Sequence, residues 1–321
     1  MIWSDLQALC LAHSTYVIAS HQGPDGDCIG SELALHWYLT SLGKHARIVN
    51  SGPIPDKFKF LDPHGLVEQS DLPPVADVLV ICDSSNLSRQ GWAALDPAAY
   101  KAIINIDHHR DNSLFGTVNY VDGDVAATGV LLCRFFTGIK VEFPPAIAAV
   151  LYTAIMTDTG AFRFSNTTAE VLEICADLIR RGAQSAELYK QVYASWSAAG
   201  VLLKARIWSS MQFYSNNRVC SVEYPLDLIK ALGATYGDAE GMADCTVLAT
   251  SVQVGILIKY QPAETHFSLR SNGTVDVGQI AALMVPGGGG HRNAAGCTLK
   301  IPLEEAKARL LSLIEQELGA V

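Results

Sequence analysis

The chain has 321 residues, 49% of them hydrophobic and 17% charged, with a formal charge of −9. That is long enough for two domains, each burying its own core. The acidic balance argues against a protein that coats long or duplex nucleic acid, without excluding small phosphorylated substrates.

The first fourteen residues, MIWSDLQALCLAHS, lack a basic leader and contain Asp5, so they read as a helix and not as a signal peptide. Apolar runs such as AIAAVLY at 146–152 fall far short of the roughly 18 residues that suggest a membrane span, so no membrane association is expected. The eight cysteines are scattered without a CxxC pair. They read as reduced core residues of a cytoplasmic protein, which disfavours a thiolate zinc site.

Residues 15–20 (TYVIAS) form an apolar β-branched run that ends at His21. A helix is expected over 31–42, with Ser31 at its start and Gly43 as its C-cap. Further strands are expected at 45–50 (HARIVN), 77–82 (DVLVIC) and 101–106 (KAIINI). Strands alternating with helices predict a parallel sheet covered by helices on both faces. In such sheets chemistry collects at the carboxyl ends of the strands. Three of these strands end in ligand-type side chains: His21-x-x-x-Asp25-x-Asp27, then Asp83, then Asp107-His108-His109.

A helix from Pro145 leads into Thr157-Asp158-Thr159-Gly160, and another is expected to start near Asn166. Residues 186–211 read as a helical linker, with Tyr189, Tyr193, Trp196, Trp208 and Tyr214 in or beside it as packing residues. The domains expected are thus 1–185 and a smaller α/β domain at 212–321. Within the latter, strands are expected at 218–223, 247–260 and 266–270, and helices at 225–232, 277–284 and 302–318.

A polar turn alone would account for HQGPDGD, since Asp and Gly favour turns. Four segments converging on one end of a sheet would not. If the backbone is extended there, Asp25 and Asp27 point to opposite sides and serve two ions. Asp83 could bridge those ions and His108 add an imidazole. Carboxylates mixed with imidazoles suit Mn²⁺ or Mg²⁺, and two such ions about 3.5–4 Å apart are a device for phosphoryl chemistry. Of Asp107 and His109, one is expected to orient His108 and the other to face the substrate. Downstream, VPGGGGHRNAAG (285–296) offers backbone N–H groups to an anion. Arg270 and Arg163 are candidate phosphate partners, although either could be a solvated arginine.

The motifs HQGPDGD, ICDSSN, IDHHRDN and TDTGAFRFSNTT resemble the four motifs of the DHH phosphoesterase superfamily. GGGGHRNAAG with the upstream SLRS is similar to its DHH-associated C-terminal domain. The length and layout resemble the NrnA-type branch, oligoribonucleases that also dephosphorylate pAp.

The resemblance implies two cations, preferably Mn²⁺ with Mg²⁺ as the alternative. His21, Asp25 and Asp83 would hold one; Asp27, Asp83, His108 and Asp158 would hold the other. A hydroxide bridging the metals would attack phosphorus, with Asp83, Asp107 and His109 as the catalytic set. Arg270, Gly288, Gly289, Gly290 and His291 would hold short RNA or a small nucleotide, with Arg163 as a further contact. Cleavage of c-di-AMP or pApA is the rival activity, and a non-catalytic nucleotide sensor the rival of another class. A homodimer is compatible with either.

Overall fold

The computed structural model describes residues 2–319 apart from 74, 240 and 274. The chain divides into two compact units, Met1–Ser195 and Trp196–Val321.

In the first unit, helix α1 (Ile2–Ala12) precedes strand β1 (Thr15–Ala19), helix α2 (Gly26–Ser41) and strand β2 (His45–Asn50). Strands β3 (Val67–Gln69), β4 (Val78–Cys82), β5 (Ala102–Asp107) and β6 (Val118–Val121) complete a sheet in the order β3-β2-β1-β4-β5-β6. All its pairings are parallel. Four more helices follow: α3 (Thr128–Gly138), α4 (Pro145–Asp158), α5 (Ala169–Arg180) and α6 (Ser185–Tyr193). Strands β4 and β5 are buried at every position, which is why they read as unbroken apolar runs.

The strand order reverses direction between β1 and β4, so the connections on either side leave from opposite faces. All six helices contribute buried residues to one face, where Tyr16, Ile18, Val80, Ile104 and Ile106 meet Leu6, Leu35, Leu131, Leu151, Cys175 and Leu188. The other face packs Val17, Val49, Leu79 and Ile81 against Trp92, Leu87 and Leu95. There the helical layer expected from the sequence consists, among the described residues, of short 3₁₀ helices, Leu87–Gln90 and Pro97–Ala99. The segment between β4 and β5 is interrupted by Gly91 and Pro97, which break a longer helix.

The helix expected at 31–42 starts five residues earlier, because Asp25 caps it: its Oδ1 accepts N–H groups of Asp27 and Cys28 at 3.0 and 3.1 Å. Two glycines of this segment answer to packing and not to the turn. A Cβ on Gly26 would lie 2.5 Å from Thr157 Oγ1, and one on Gly30 would lie 2.4 Å from the Val150 carbonyl oxygen. Their bare backbone lets α2 press against α4.

The second unit begins with α7 (Ala198–Ser209), followed by β7 (Gln212–Tyr214), β8 (Val219–Pro225) and α8 (Asp227–Ala231). Then come β9 (Val254–Gln261), β10 (Glu264–Ser271), α9 (Val277–Met284), β11 (Gly289–His291), β12 (Ala294–Leu299) and α10 (Leu303–Gly319). Its sheet runs β11-β12-β10-β9-β8-β7 and is antiparallel except for the β8–β9 pair. The apolar face of α10, Ala306, Leu310, Ile314 and Leu318, closes the core with α9. The boundary between the units falls between α6 and α7, within the stretch read as a linker. Of the aromatics read there as packing residues, Tyr189, Trp196 and Trp208 are instead exposed.

The contact of α2 with α4 gives a first test. Gly30→Ala is expected to cost about 1–3 kcal/mol by overpacking, a fall in melting temperature of about 3–10 °C. An unchanged melting curve would show that α4 yields freely and that Gly30 is not required.

Candidate active site at the strand tips

The reversal in strand order opens a crevice beyond the carboxyl ends of β1 and β4, and the ligand-type side chains collect there. His21 and Asp25 follow β1, Asp83 follows β4, and His108 and His109 follow β5. Asp158 comes from elsewhere, as the last residue of α4. An acid at a helix C-terminus opposes the helix dipole, so its place is not explained by helix stability.

Asp25 and Asp27 do diverge, but not through extended backbone as expected. Asp25 is the N-cap of α2 and Asp27 lies within its first turn, so helical rotation separates them. The Asp27 carboxylate is completely buried. It accepts the backbone N–H groups of Thr128 at 2.6 Å and Gly129 at 2.8 Å, at the start of α3, and the Ser31 hydroxyl at 3.2 Å. A helix N-terminus is thereby satisfied by a carboxylate and fixes its position.

Asp83 is the hub. It is buried and adopts φ +55°, a left-handed conformation unusual outside glycine. Its Oδ2 lies 3.2 Å from Cys28 Sγ and 3.9 Å from His21 Nε2. Its Oδ1 lies 3.3 Å from His108 Nε2, 3.7 Å from His109 Nδ1 and 3.4 Å from the Thr128 hydroxyl. His108 Nε2 in turn lies 3.1 Å from Asp158 and 3.9 Å from Asp27. The side chains therefore fall into three groups whose ligand atoms lie within 4.8 Å of one another. They are His21, Asp25, Cys28 and Asp83; Asp83, His108 and His109; and Asp27, His108 and Asp158. Cys28, read from the sequence as an ordinary core cysteine, thus stands among the ligand-type residues; in the sequence its place two residues after the Asp25–Gly26 pair is its only signal.

The electrostatics of the cluster are those of acids crowded without enough cations. Burial, then the charge of Asp83, raise the Asp25 carboxyl, and burial with Asp83 and Asp158 raises Asp27 well above its usual range. Burial likewise pushes Asp158 up to about 7. Asp83 goes the other way: burial opposes its ionisation, but the His108 hydrogen bond and the charges of His108 and His21 hold it down at about 2. For His108 burial disfavours the charge, yet hydrogen bonds to Asp158 and Asp83 push it up to about 12. Buried hard carboxylates with imidazoles are the donor chemistry of Mn²⁺ and Mg²⁺ sites, so the residues present fit divalent cations.

Asp107 orients His109, and not His108 as was one expectation. It is buried and accepts His109 Nδ1–H at 2.7 Å and Asn112 Nδ2–H at 2.6 Å, and that hydrogen bond raises the His109 imidazole above its ordinary value. Asn112 and Arg89 were not singled out in the sequence. Arg89 places Nη1 3.2 Å from His109 Nε2.

The remaining candidates are not members of these three groups. Arg163 is exposed and donates Nε–H to the Gly160 carbonyl at 2.7 Å. In the second unit, Gly289–His291 is an edge strand and not wholly an open loop; Gly287, Gly289 and Gly290 all have positive φ. Arg270 on β10 and His291 on β11 both pair with Ala294 of β12. That register sets them on one face, about 10 Å apart across two strand spacings. Arg270 donates Nε–H to Asp244 at 2.6 Å.

Comparison with known proteins agrees with this geometry. The family model described as the DHH family, N-terminal domain, matches residues 15–155, and the DHHA1 domain matches residues 228–320. A bifunctional oligoribonuclease and PAP phosphatase, NrnA, of Thermus thermophilus is 35% identical over 310 residues, covering 94% of this chain and 89% of that protein. An exopolyphosphatase-related protein from Bacteroides fragilis has the same fold, with a TM-score of 0.87 at 24% identity over 99% of this chain and 96% of its own. An exonuclease RecJ bound to manganese shares the fold more distantly, with a TM-score of 0.51 at 14% identity over 99% and 96%.

The raised His108 gives a prediction about metal uptake. To become a ligand, His108 must lose the proton that the carboxylates hold on it, so binding at pH 7 is expected to release about one proton or more. Apparent affinity should therefore rise with pH. Calorimetric titration with Mn²⁺ in two buffers of different ionisation enthalpy measures the release; identical heats in both would remove His108 from the ligand set.

Proposed function

Because the chain belongs to the DHH phosphoesterase family and carries the DHHA1 domain, we propose that it hydrolyses short oligoribonucleotides to 5′-mononucleotides and removes the 3′-phosphate from pAp. That it is a metal-dependent hydrolase of phosphate esters follows from the family; the substrates, the metal and the residue roles are our reading. One observation carries it: the two oxygens of Asp83 face different groups of ligand-type side chains.

In this reading His21, Asp25 and Asp83 hold one divalent cation and Asp27, Asp83, His108 and Asp158 the other, with Mn²⁺ preferred. The cations, when bound, supply a water of lowered pKa and offset charge on the phosphate. The chain's own part is positional. The start of α3 holds Asp27 still, and the left-handed backbone at Asp83 aims its carboxylate. Asp107 fixes the ring of His109, which faces the reacting phosphate and serves the leaving oxygen. In the second unit Arg270, His291 and the backbone of Gly288, Gly289 and Gly290 hold the nucleotide, Arg270 exchanging Asp244 for phosphate. Arg163 is a further contact. The site is one for small substrates of a cytoplasmic enzyme; among the described residues no helix is long and apolar enough to cross a membrane.

The reading is tested by one panel with Mn²⁺: pApA, pAp, RNA of two to about five residues, c-di-AMP and pyrophosphate. Rapid turnover of the short RNA and pAp is expected, and rapid pyrophosphate cleavage with inert nucleotides would overturn it. Faster cleavage of c-di-AMP than of short RNA would replace the substrate and keep the chemistry.

Two substitutions separate the roles. Asp83→Asn is expected to lower kcat by about 10³-fold or more, as removal of a group shared by two cations should. His291→Ala should raise KM while leaving the bound manganese, measured by mass spectrometry, unchanged. Loss of manganese from that variant would move His291 out of substrate binding.

A further inference from the structure

Arg89 is a cation at the rim of an acidic cluster, yet it pairs with none of the acids. Among the described residues no carboxylate lies within ion-pair distance of its guanidinium, and its side-chain hydrogen bond goes to His109 Nε2 at 3.2 Å. Arginine only donates, so Nε2 is the acceptor and the ring proton sits on Nδ1, facing Asp107 at 2.7 Å. A guanidinium has five N–H donors. Here one of them is spent on a neutral imidazole nitrogen, a weak use of a group suited to oxyanions.

The backbone beneath it is pinned from three sides. Asn86 caps the 3₁₀ turn Leu87–Gln90, accepting the Ser88 N–H at 3.1 Å. The Arg89 carbonyl accepts the N–H of Gln22, next to His21, at 2.6 Å. The Gln90 carbonyl accepts the Ser51 hydroxyl beyond β2. The turn is thus tied to the loops after β1, β2 and β4, and those after β1 and β4 carry part of the cluster. The side chain itself is only half-buried, so it can reorient on a fixed base.

We propose that Arg89 is a catalytic residue that binds a non-bridging oxygen of the scissile phosphate, exchanging His109 Nε2 for that oxygen when substrate enters. The proposal rests on the phosphoesterase reading above and adds a substrate-contacting residue to it. Arg89 holds the phosphate beside the cations and leaves Nε2 of His109 free to take up the proton that the attacking water loses and pass it to the departing oxygen. One residue thereby couples arrival of the phosphate to release of the imidazole.

The test compares two esters, pApA and the p-nitrophenyl ester of thymidine 5′-monophosphate, whose leaving group needs no proton. Arg89→Gln is expected to lower kcat/KM for both by about 100-fold, the scale of losing one donor to a developing oxyanion. Arg89→Lys, which keeps a point charge, should recover part of the loss, and it carries the comparison if Arg89→Gln does not fold. Manganese content should be unchanged in both variants. Wild-type rates on both esters would overturn the proposal. So would a loss confined to pApA, because Arg89 would then act only through His109. So would loss of manganese. A wild-type protein inert to both esters would sink the phosphoesterase reading itself, which is a different failure.

Discussion

Burying the carboxylate of Asp83 among other acids is the constraint on which the first unit is built. Alone, such a group would be expelled or neutralised. It stays ionised because three imidazoles converge on it, from the ends of β1 and β5, and because its backbone accepts a left-handed conformation that aims it inward. Strain of this kind is held in place by its surroundings, and here β4 and β5 clamp both sides through the Asp83 N–H bond to the Ile106 carbonyl at 2.9 Å. The sheet order then follows as a requirement. Only a reversal between β1 and β4 brings these three loops to one crevice.

Helix ends supply the second half of the design. The N-terminus of α2 meets Asp25 and that of α3 meets Asp27, so two carboxylates complete two helices while remaining turned toward one another. Asp158, at a helix C-terminus, gains nothing of the kind. It is tolerated because His108 carries a proton against it. Stability and chemistry therefore draw on the same side chains, and a cation that replaced the His108 proton would relieve the same repulsion.

Much of this was legible in the chain. Strands β1, β4 and β5 stood out because both their faces are buried, leaving continuous apolar runs that end abruptly in acids and histidines. What was hidden is non-local. Helix α3 carries no cap signal, since its orphan N–H groups are satisfied by Asp27 more than a hundred positions away. The start of α2 was misplaced because Gly26 and Gly30 look like turn residues, whereas their reason is the backbone of α4. Arg89 sits in an unremarkable polar segment, and only the fold sets it beside His109. Whether Asp107 would meet His108 or His109 was equally unreadable, because adjacent residues at a strand end give no hint of which ring a carboxylate will meet.

The lengths of the outermost strands have a consequence for behaviour in concentrated solution. β3, β7 and β11 have three residues each and β6 has four, whereas the interior strands run to eight. Short edges offer few unpaired backbone groups to another chain, so neither sheet is a good template for aggregation. At β11 this is reinforced by glycine, which has no side chain with which to build a sticky ribbon. Replacing its glycines with β-branched residues would lengthen and stiffen that edge into a seed of self-association.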